Sequence, residues 1–287
     1  MHRSCYVCQG VEFAPVEGKV RDLPDMPILK CRDCGLVFLE NFDHINDSFY
    51  EESEMRSGSS VIDWDVYIEK TSADDTRREK WMKAEIMDRA VLDFGCGAGG
   101  FLSKIKRYAK RCAGVEKDQN LQKIIQEKFD IDVYADIQDV HDKFDVITLF
   151  HVLEHFKDPR NLLIQLSGLL ADNGRIIIEV PNAEDALLSL YKCKAFSEFT
   201  YWGCHLYLFN NKNLQRLVES AGLMVNDICQ VQRYPLSNHL YWLAQGRPGG
   251  HEAWHFLDNV NLHEAYEHQL AATSMCDTII ASIGKIA

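Results

Sequence analysis

VLDFGCGAGGF, residues 91–101, decides the fold of this chain. Apolar residues lead to Asp93, and glycines follow at 95, 97, 99 and 100. The reading is a buried strand that runs into a turn nearly free of side chains. Such a turn lets a ligand lie against bare backbone while a helix N-terminus opens beside it. Gly95, Gly97 and Gly100 also satisfy G-x-G-x-x-G, so the glycines by themselves admit a dinucleotide.

Outward from this stretch the chain alternates between strand and helix patterns, as a doubly wound α/β sheet requires. AVLDFG (90–95) reads as strand one, CAGVE (112–116) as strand two and DVYAD (132–136) as strand three. FDVITLFHVL (144–153) reads as strand four and RIIIEVP (175–181) as strand five, with Asn173-Gly174 turning into it. Helices are predicted at 101–110, 121–129 and 161–170, and an amphipathic helix over 61–88 precedes the sheet. Ligands in such sheets sit at the carboxyl ends of the strands, beside strand one. The polar residues at those ends are Asp93, Glu116, Asp136 and His151. Glu116 stands nineteen residues beyond Gly97, where a carboxylate can accept both ribose hydroxyls of an adenosine. Asp136 could accept from an adenine amino group.

Asp93 separates two cofactor classes. A carboxylate two residues before the first glycine would repel the pyrophosphate of a nicotinamide cofactor. S-adenosylmethionine has no phosphate and carries an amino group and a sulfonium, which an acidic strand end suits.

The 287 residues suit one sizeable domain plus a small one, and a formal charge of −12 argues against a phosphate-backbone partner. KIKRYAKR (104–111) is the one dense basic run, and it reads as a solvated helix face. No run of 18 apolar residues marks a membrane span, and MHRSCYVCQG has no apolar signal core. A cytoplasmic protein is expected, so its ten cysteines read as metal ligands or core residues. Cys5 and Cys8 form one C-x-x-C, Cys31 and Cys34 a second, and the four thiolates are what a closed structural zinc site wants. A module of this size buries too little apolar surface to fold alone, so the metal would supply the missing free energy. The expected organisation is a zinc ribbon over 1–42, a linker or lid and helix over 43–88, and a nucleotide-binding domain over 89–287. Phe49, Tyr50 and Tyr67 are possible substrate contacts. An insert at about 233–275, rich in aromatics and histidine, reads as a long functional loop.

VLDFGCGAGGF, GVEKD, ADI, FDVITLFHVLEH and LLADNGRIIIEVPN together resemble class I S-adenosylmethionine-dependent methyltransferases over roughly residues 75–230. The resemblance implies a Rossmann-like seven-stranded sheet of order 3-2-1-4-5-7-6 with an antiparallel edge. NNKNLQRLVESAGL (210–223), VNDICQVQRY (225–234) and DTIIASIG (277–284) would supply the helix before strand six, strand six and the last strand. It places the cofactor against Asp93, Gly95, Cys96, Gly97, Gly99, Glu116, Lys117, Asp136, Ile137 and Phe150. The whole chain further resembles bacterial methyltransferases with an N-terminal zinc ribbon from sugar and surface-polysaccharide biosynthesis. That implies a small-molecule acceptor, a nucleotide-linked sugar first. A sugar C-methyltransferase, an RNA methyltransferase and a non-catalytic cofactor-binding subunit are the alternatives.

Methyl transfer to a hydroxyl needs alignment and a base, and histidine is the natural base near neutral pH. HVLEH puts His151, Glu154 and His155 at the exit of strand four, and His205 in GCHLYLF could close over the same mouth. If a helical turn begins at His151, His151 and His155 share a face. The pattern is similar to the E-x-x-E-H…H metal cluster of ubiquinone-pathway and small-RNA methyltransferases, with His151 in place of the first Glu. Three readings stand: a general base, with His155 ahead of His151; a metal-assisted site; or structural histidines. Tyr201, Trp202, His239, Tyr241 and Trp242 could stack on an acceptor or pack a core. Arg77 and Arg78 could meet a phosphate or the cofactor carboxylate, or line a solvated face.

Overall fold

The computed structural model describes residues 4–45 and 64–286, with the side chains of 64–67 excepted. Phe49, Tyr50 and the side chain of Tyr67 lie outside the described residues. Three short strands open the chain: β1 (Phe13–Pro15), β2 (Ile28–Cys31) and β3 (Val37–Leu39). They form an antiparallel sheet. The Cys5 and Cys34 sulfurs lie 3.6 Å apart and those of Cys8 and Cys31 3.5 Å. Four sulfurs about 2.3 Å from one zinc would sit about 3.8 Å apart, whereas a disulfide needs about 2.05 Å. The donor set therefore fits a tetrahedral metal and not a pair of disulfides.

Helix α1 (Trp64–Ile86) leads into β4 (Ala90–Phe94), α2 (Gly100–Ile105), β5 (Arg111–Val115), α3 (Gln119–Phe129) and β6 (Asp132–Tyr134). Then come β7 (Phe144–Phe150), α4 (Pro159–Gly168) and β8 (Leu170–Pro181). Short helices α5 (Ala186–Ser189) and α6 (Lys194–Ser197) precede β9 (Tyr207–Leu208), α7 (Asn211–Ser220) and β10 (Leu223–Val231). Helices α8 (Leu236–Gln245), α9 (Gly250–Ala253) and α10 (Val260–Ala272) and strand β11 (Thr278–Lys285) complete the chain. The large sheet runs β10-β11-β8-β7-β4-β5-β6, the expected 3-2-1-4-5-7-6 read from its other edge. Its β4–β8 strands are parallel and β11 is antiparallel to both neighbours.

Local chemistry explains the helix boundaries. Asp118 caps α3 by accepting from the Asn120 and Leu121 amides, and Leu121, Ile124 and Ile125 face the core. Asp158 caps α4, with Pro159 in the first turn, where its missing N–H costs nothing. Strand β8 begins at Leu170 and absorbs the predicted Asn173-Gly174 turn as an irregularity, with Asn173 at φ 60°. The insert is helical rather than a long loop. Its α8 buries His239, Tyr241 and Trp242, and Trp242 packs 5.2 and 5.1 Å from the Phe196 and Phe199 rings. Among the described residues no helix is long and apolar enough to cross a membrane.

The two sheets share one apolar core. Val37 and Phe38 of β3 pair with Leu208 and Tyr207 of β9, so the small sheet is four-stranded, with its last strand drawn from the far side of the chain. Leu36, Phe38, Tyr207 and Phe209 pack in the same cluster as Leu92, Phe144 and Ile178 of the large sheet.

Candidate active site

The glycine turn leaves β4 at its carboxyl end. Gly95 has φ +75°, and a Cβ there would lie 2.5 Å from Val152 Cγ2. Only glycine fits both the left-handed backbone and the approach of the β7 exit. Glu116, just past β5, accepts from the Gly97 amide at 2.9 Å and from the Asp118 amide at 3.0 Å. This pins the turn to the neighbouring strand and sets a carboxylate beside it. Asp93 is 4% exposed and accepts from Thr148 Oγ1 of β7 at 2.6 Å. Burial pushes its pKa up to about 7, although Thr148 and the Arg78 charge pull the other way. Asp136 is exposed and caps the turn over Ile137–Asp139. Lys117 is exposed, Ile137 is half-buried, and the buried Cys96 packs against Gly114. Phe150 stacks edge-on against Phe101 at 5.0 Å and lies under the Arg78 guanidinium at 4.4 Å.

Beyond β7 the chain enters a short 3₁₀ turn at Leu153–His155. His151 precedes it at φ +56°, a strained conformation for a non-glycine residue, held by its amide bond to the Glu179 carbonyl at 2.8 Å. The predicted shared face of His151 and His155 is therefore not formed, because helical geometry starts two residues late. His151 turns toward Glu179 of β8, with Nε2 3.2 Å from its carboxylate and 3.0 Å from Arg233 Nη1, and its Nδ1 lies 3.5 Å from Glu154. Burial and Arg233 act to lower the His151 pKa, but the Glu154 and Glu179 contacts outweigh them and it is raised.

Glu179 is fully buried and accepts from Arg77 at 2.8 and 2.9 Å and from Arg78 at 2.7 Å. Burial alone would raise its pKa; His151 and Arg78 instead hold it well below the usual carboxylate range. Arg233 is gripped by Asp74 through Nε at 3.1 Å, and Arg78 by Asp75 at 3.3 Å. Arg77 and Arg78 thus line neither a solvated face nor an open anion site.

His155 points the other way. Its Nδ1 meets the Cys204 carbonyl at 2.8 Å, and its ring centroid lies 5.0 Å from that of His205, edge to face. A carbonyl only accepts, so Nδ1 carries the proton and Nε2 the lone pair. Glu154 lies between the two histidines and is fully buried. Neither of its oxygens has a hydrogen-bond partner among the described residues. Burial would raise its pKa, but His151 and His155 hold it below the ordinary value. For His205, burial and then the neighbouring His155 push the pKa down to about 3, so this ring is neutral. His155, Cys204 and His205 bring donor atoms within 4.8 Å of one another. Burial pushes the Cys204 thiol up to about 12.

A family model described as "Methyltransferase domain" matches residues 68–227, more than half of the chain. The chain belongs to this methyltransferase family. Its similar relatives include the ubiquinone biosynthesis O-methyltransferase of Coxiella burnetii, 24% identical over 176 residues (56% of this chain, 75% of the relative). That of Psychrobacter arcticus is 25% identical over 184 residues, covering 58% and 71%. Among solved structures, an S-adenosylmethionine-dependent methyltransferase from Archaeoglobus fulgidus superposes with TM-score 0.51 at 20% identity, covering 78% of this chain and all of that one. The magnesium protoporphyrin IX methyltransferase of Synechocystis PCC 6803, solved with S-adenosylhomocysteine, gives TM-score 0.50 at 13% identity over 84% and 97% of the two chains.

The protein is an S-adenosylmethionine-dependent methyltransferase. The fold sets the glycine turn against Val152 of the β7 exit with Glu116 bonded to the turn, and it gathers His151, Glu154, His155 and His205 just beyond that exit. It does not bring the aromatic set there: Tyr201, His239, Tyr241 and Trp242 are buried in packing. Trp202 alone of that group stays near the histidines, 5.9 Å from the His205 ring. Glu179, Asp74, Arg233 and Thr148 were not expected at the mouth. Glu179 had a signal: one charge inside the apolar run IIIEV of a buried strand needs partners. The others depend on contacts across 55 to 159 residues.

Proposed function

We propose that this methyltransferase transfers a methyl group to a hydroxyl of a small acceptor, with His155 as general base. The observation that carries the reading is the His155 Nδ1–Cys204 carbonyl bond of 2.8 Å, which leaves the basic lone pair on Nε2. Bound S-adenosylmethionine would supply an electrophilic methyl on a good leaving group. The chain's own work is then to hold the acceptor in line and take its proton. His155 takes the hydroxyl proton on Nε2, and the buried Glu154 carboxylate stabilises the imidazolium so formed. His205, neutral, walls the ring from water. His151 is the poorer candidate, because Glu179 and Arg233 already engage its Nε2 and Glu154 lies against its Nδ1.

Asp93, the turn at Gly95, Cys96, Gly97 and Gly99, and Glu116 with Lys117 form the donor half of this reading. Glu116 would meet the ribose and Asp136 with Ile137 the adenine. Cys5, Cys8, Cys31 and Cys34 are assigned one structural zinc, supported by sulfur spacings of 3.5 and 3.6 Å. Their four thiolates suit the reducing cytosol. The acceptor class remains a nucleotide-linked sugar. A second reading, a phenolic acceptor, is favoured by the ubiquinone-pathway names of the relatives.

The test is direct. Calorimetric titration should give binding of S-adenosylmethionine and none of NAD. Labelled methyl transfer to nucleotide sugars and to a simple catechol then separates the two acceptor readings. His155→Ala should keep donor affinity and lose about 100-fold or more in turnover, the usual reach of a general base. Unchanged turnover removes His155 from the role.

A further inference from the structure

The carbonyl that fixes the His155 proton belongs to a segment the N-terminal module holds at almost every residue. Val20 bridges Tyr201, and the Arg21 amide donates to the Tyr201 carbonyl at 2.9 Å. Arg21 lays its guanidinium over Phe199 and Trp202 at 4.3 and 4.1 Å. On the other side, the Leu39 amide donates to the Leu206 carbonyl at 3.2 Å, and β3 pairs with β9. Between these anchors sits Gly203. Its N–H donates to Asp22 Oδ1 at 2.8 Å, and its carbonyl accepts from His44 Nε2 at 2.7 Å. A Cβ on Gly203 would lie 2.8 Å from Leu23 and 3.0 Å from Asp22, so the module closes tightly there.

Asp22 and His44 therefore hold the peptide groups before and after Gly203. The next carbonyl along the chain is that of Cys204, the acceptor for His155 Nδ1. The Trp202–Gly203 peptide that Asp22 holds also accepts, through the Trp202 carbonyl, from the His205 amide at 3.0 Å, and that amide shares one plane with the Cys204 carbonyl. A histidine without such an acceptor takes whichever tautomer its surroundings allow, and the lone pair is then not reserved for Nε2.

We propose that the cysteine-rich N-terminal module is a positioning device for the catalytic base, with Asp22 and His44 as its positioning residues. They orient the Cys204 carbonyl, and through it keep the His155 proton on Nδ1 and its lone pair toward the acceptor. The inference rests on the reading of His155 as base, but its structural half can be tested without any acceptor.

The experiment is ¹⁵N NMR of histidine-labelled, zinc-loaded full chain, with the His155 signals assigned by His155→Gln. The wild type should show His155 protonated on Nδ1. Asp22→Ala should raise the Nε2–H share about fivefold, the factor that one net hydrogen bond represents. Asp22→Asn keeps an acceptor for the Gly203 N–H and should restore the wild-type tautomer. S-adenosylmethionine affinity should stay unchanged throughout. If Asp22→Ala fails to fold, His44→Phe makes the same prediction from the carbonyl side. An Nε2–H wild type, or a tautomer indifferent to both substitutions, overturns the proposal. Retained turnover in His155→Ala would instead strike the base assignment and leave the tautomer result standing.

Discussion

Asp93 offers a prediction that follows from one buried carboxylate. Burial raises its pKa from 3.8 to about 7, so near neutral pH the donor-free protein holds it partly protonated. A sulfonium beside it favours the ionised form, so binding should pull that pKa back down and release a proton. The sign follows: affinity for S-adenosylmethionine rises with pH below 7 and levels off above it. For a fall of three units or more on binding, the gain between pH 5.5 and 7.5 is about 25-fold. S-adenosylhomocysteine lacks the sulfonium charge and should show a shallower slope. Asp93→Asn keeps the shape and the Thr148 contact but cannot titrate, and its affinity should be flat over the same range. Calorimetry in buffers of different ionisation heat measures both the affinity and the protons released. A flat wild-type profile, or a slope that survives Asp93→Asn, refutes the electrostatic account of donor choice.

Gly95→Ala combines a left-handed backbone with a contact 2.5 Å from Val152. It should cost about 2–4 kcal/mol and lower Tm by about 5–10 °C in a thermal melt, with donor affinity weakened as well. Glu179→Ala takes from the buried Arg78 the nearer of its two carboxylates, leaving only Asp75 at 3.3 Å, and denaturant unfolding at pH 7 should show a loss of about 3 kcal/mol. Because the Glu179 pKa is depressed in the fold, its stabilisation is present above about pH 4.5 and lost as pH falls through the folded value. Glu179→Gln should accordingly give a shallower acid limb than the wild type when unfolding is followed from pH 7 to 3. Cys34→Ser should drop bound zinc from one per chain toward zero by elemental analysis and open residues 4–45 to limited proteolysis.

The glycine turn and the carboxylates beside it were legible because they are local. VLDFGCGAGGF fixes a strand, its turn and its helix start within eleven residues, and Glu116 reaches back to Gly97 over nineteen. The four cysteines were legible for the same reason, each pair being a single knuckle. Boundaries shifted where tertiary contacts set the frame: Asn173-Gly174 reads as a turn before a strand, and it forms as an irregularity inside β8, with Asn173 at φ 60° between the pairings of Leu170 and Arg175 with β7. The insert differs as well. It reads as a long functional loop but is helical, and of the two readings of its aromatics, stacking on an acceptor or packing a core, the structure shows packing: Trp242 lies on Phe196 and Phe199, and His239 meets Tyr266 Oη at 2.7 Å.

The histidine cluster, which the proposed function makes the acceptor side, is assembled over distance. His155 depends on a carbonyl 49 residues away, and Arg233 reaches Asp74 across 159. Gly203 is held by Asp22 across 181. No periodicity in YWGCHLYL announces that its β9 residues pair with β3. The consequence is physical as well as analytical. A local donor turn can persist with little change while the acceptor mouth is re-formed by substitutions in the N-terminal module, the 199–209 segment or the insert. The family match over residues 68–227 therefore speaks strongly for the methyl donor and weakly for the acceptor, because Asp22 and His44, which hold the loop that carries the Cys204 carbonyl, lie outside it.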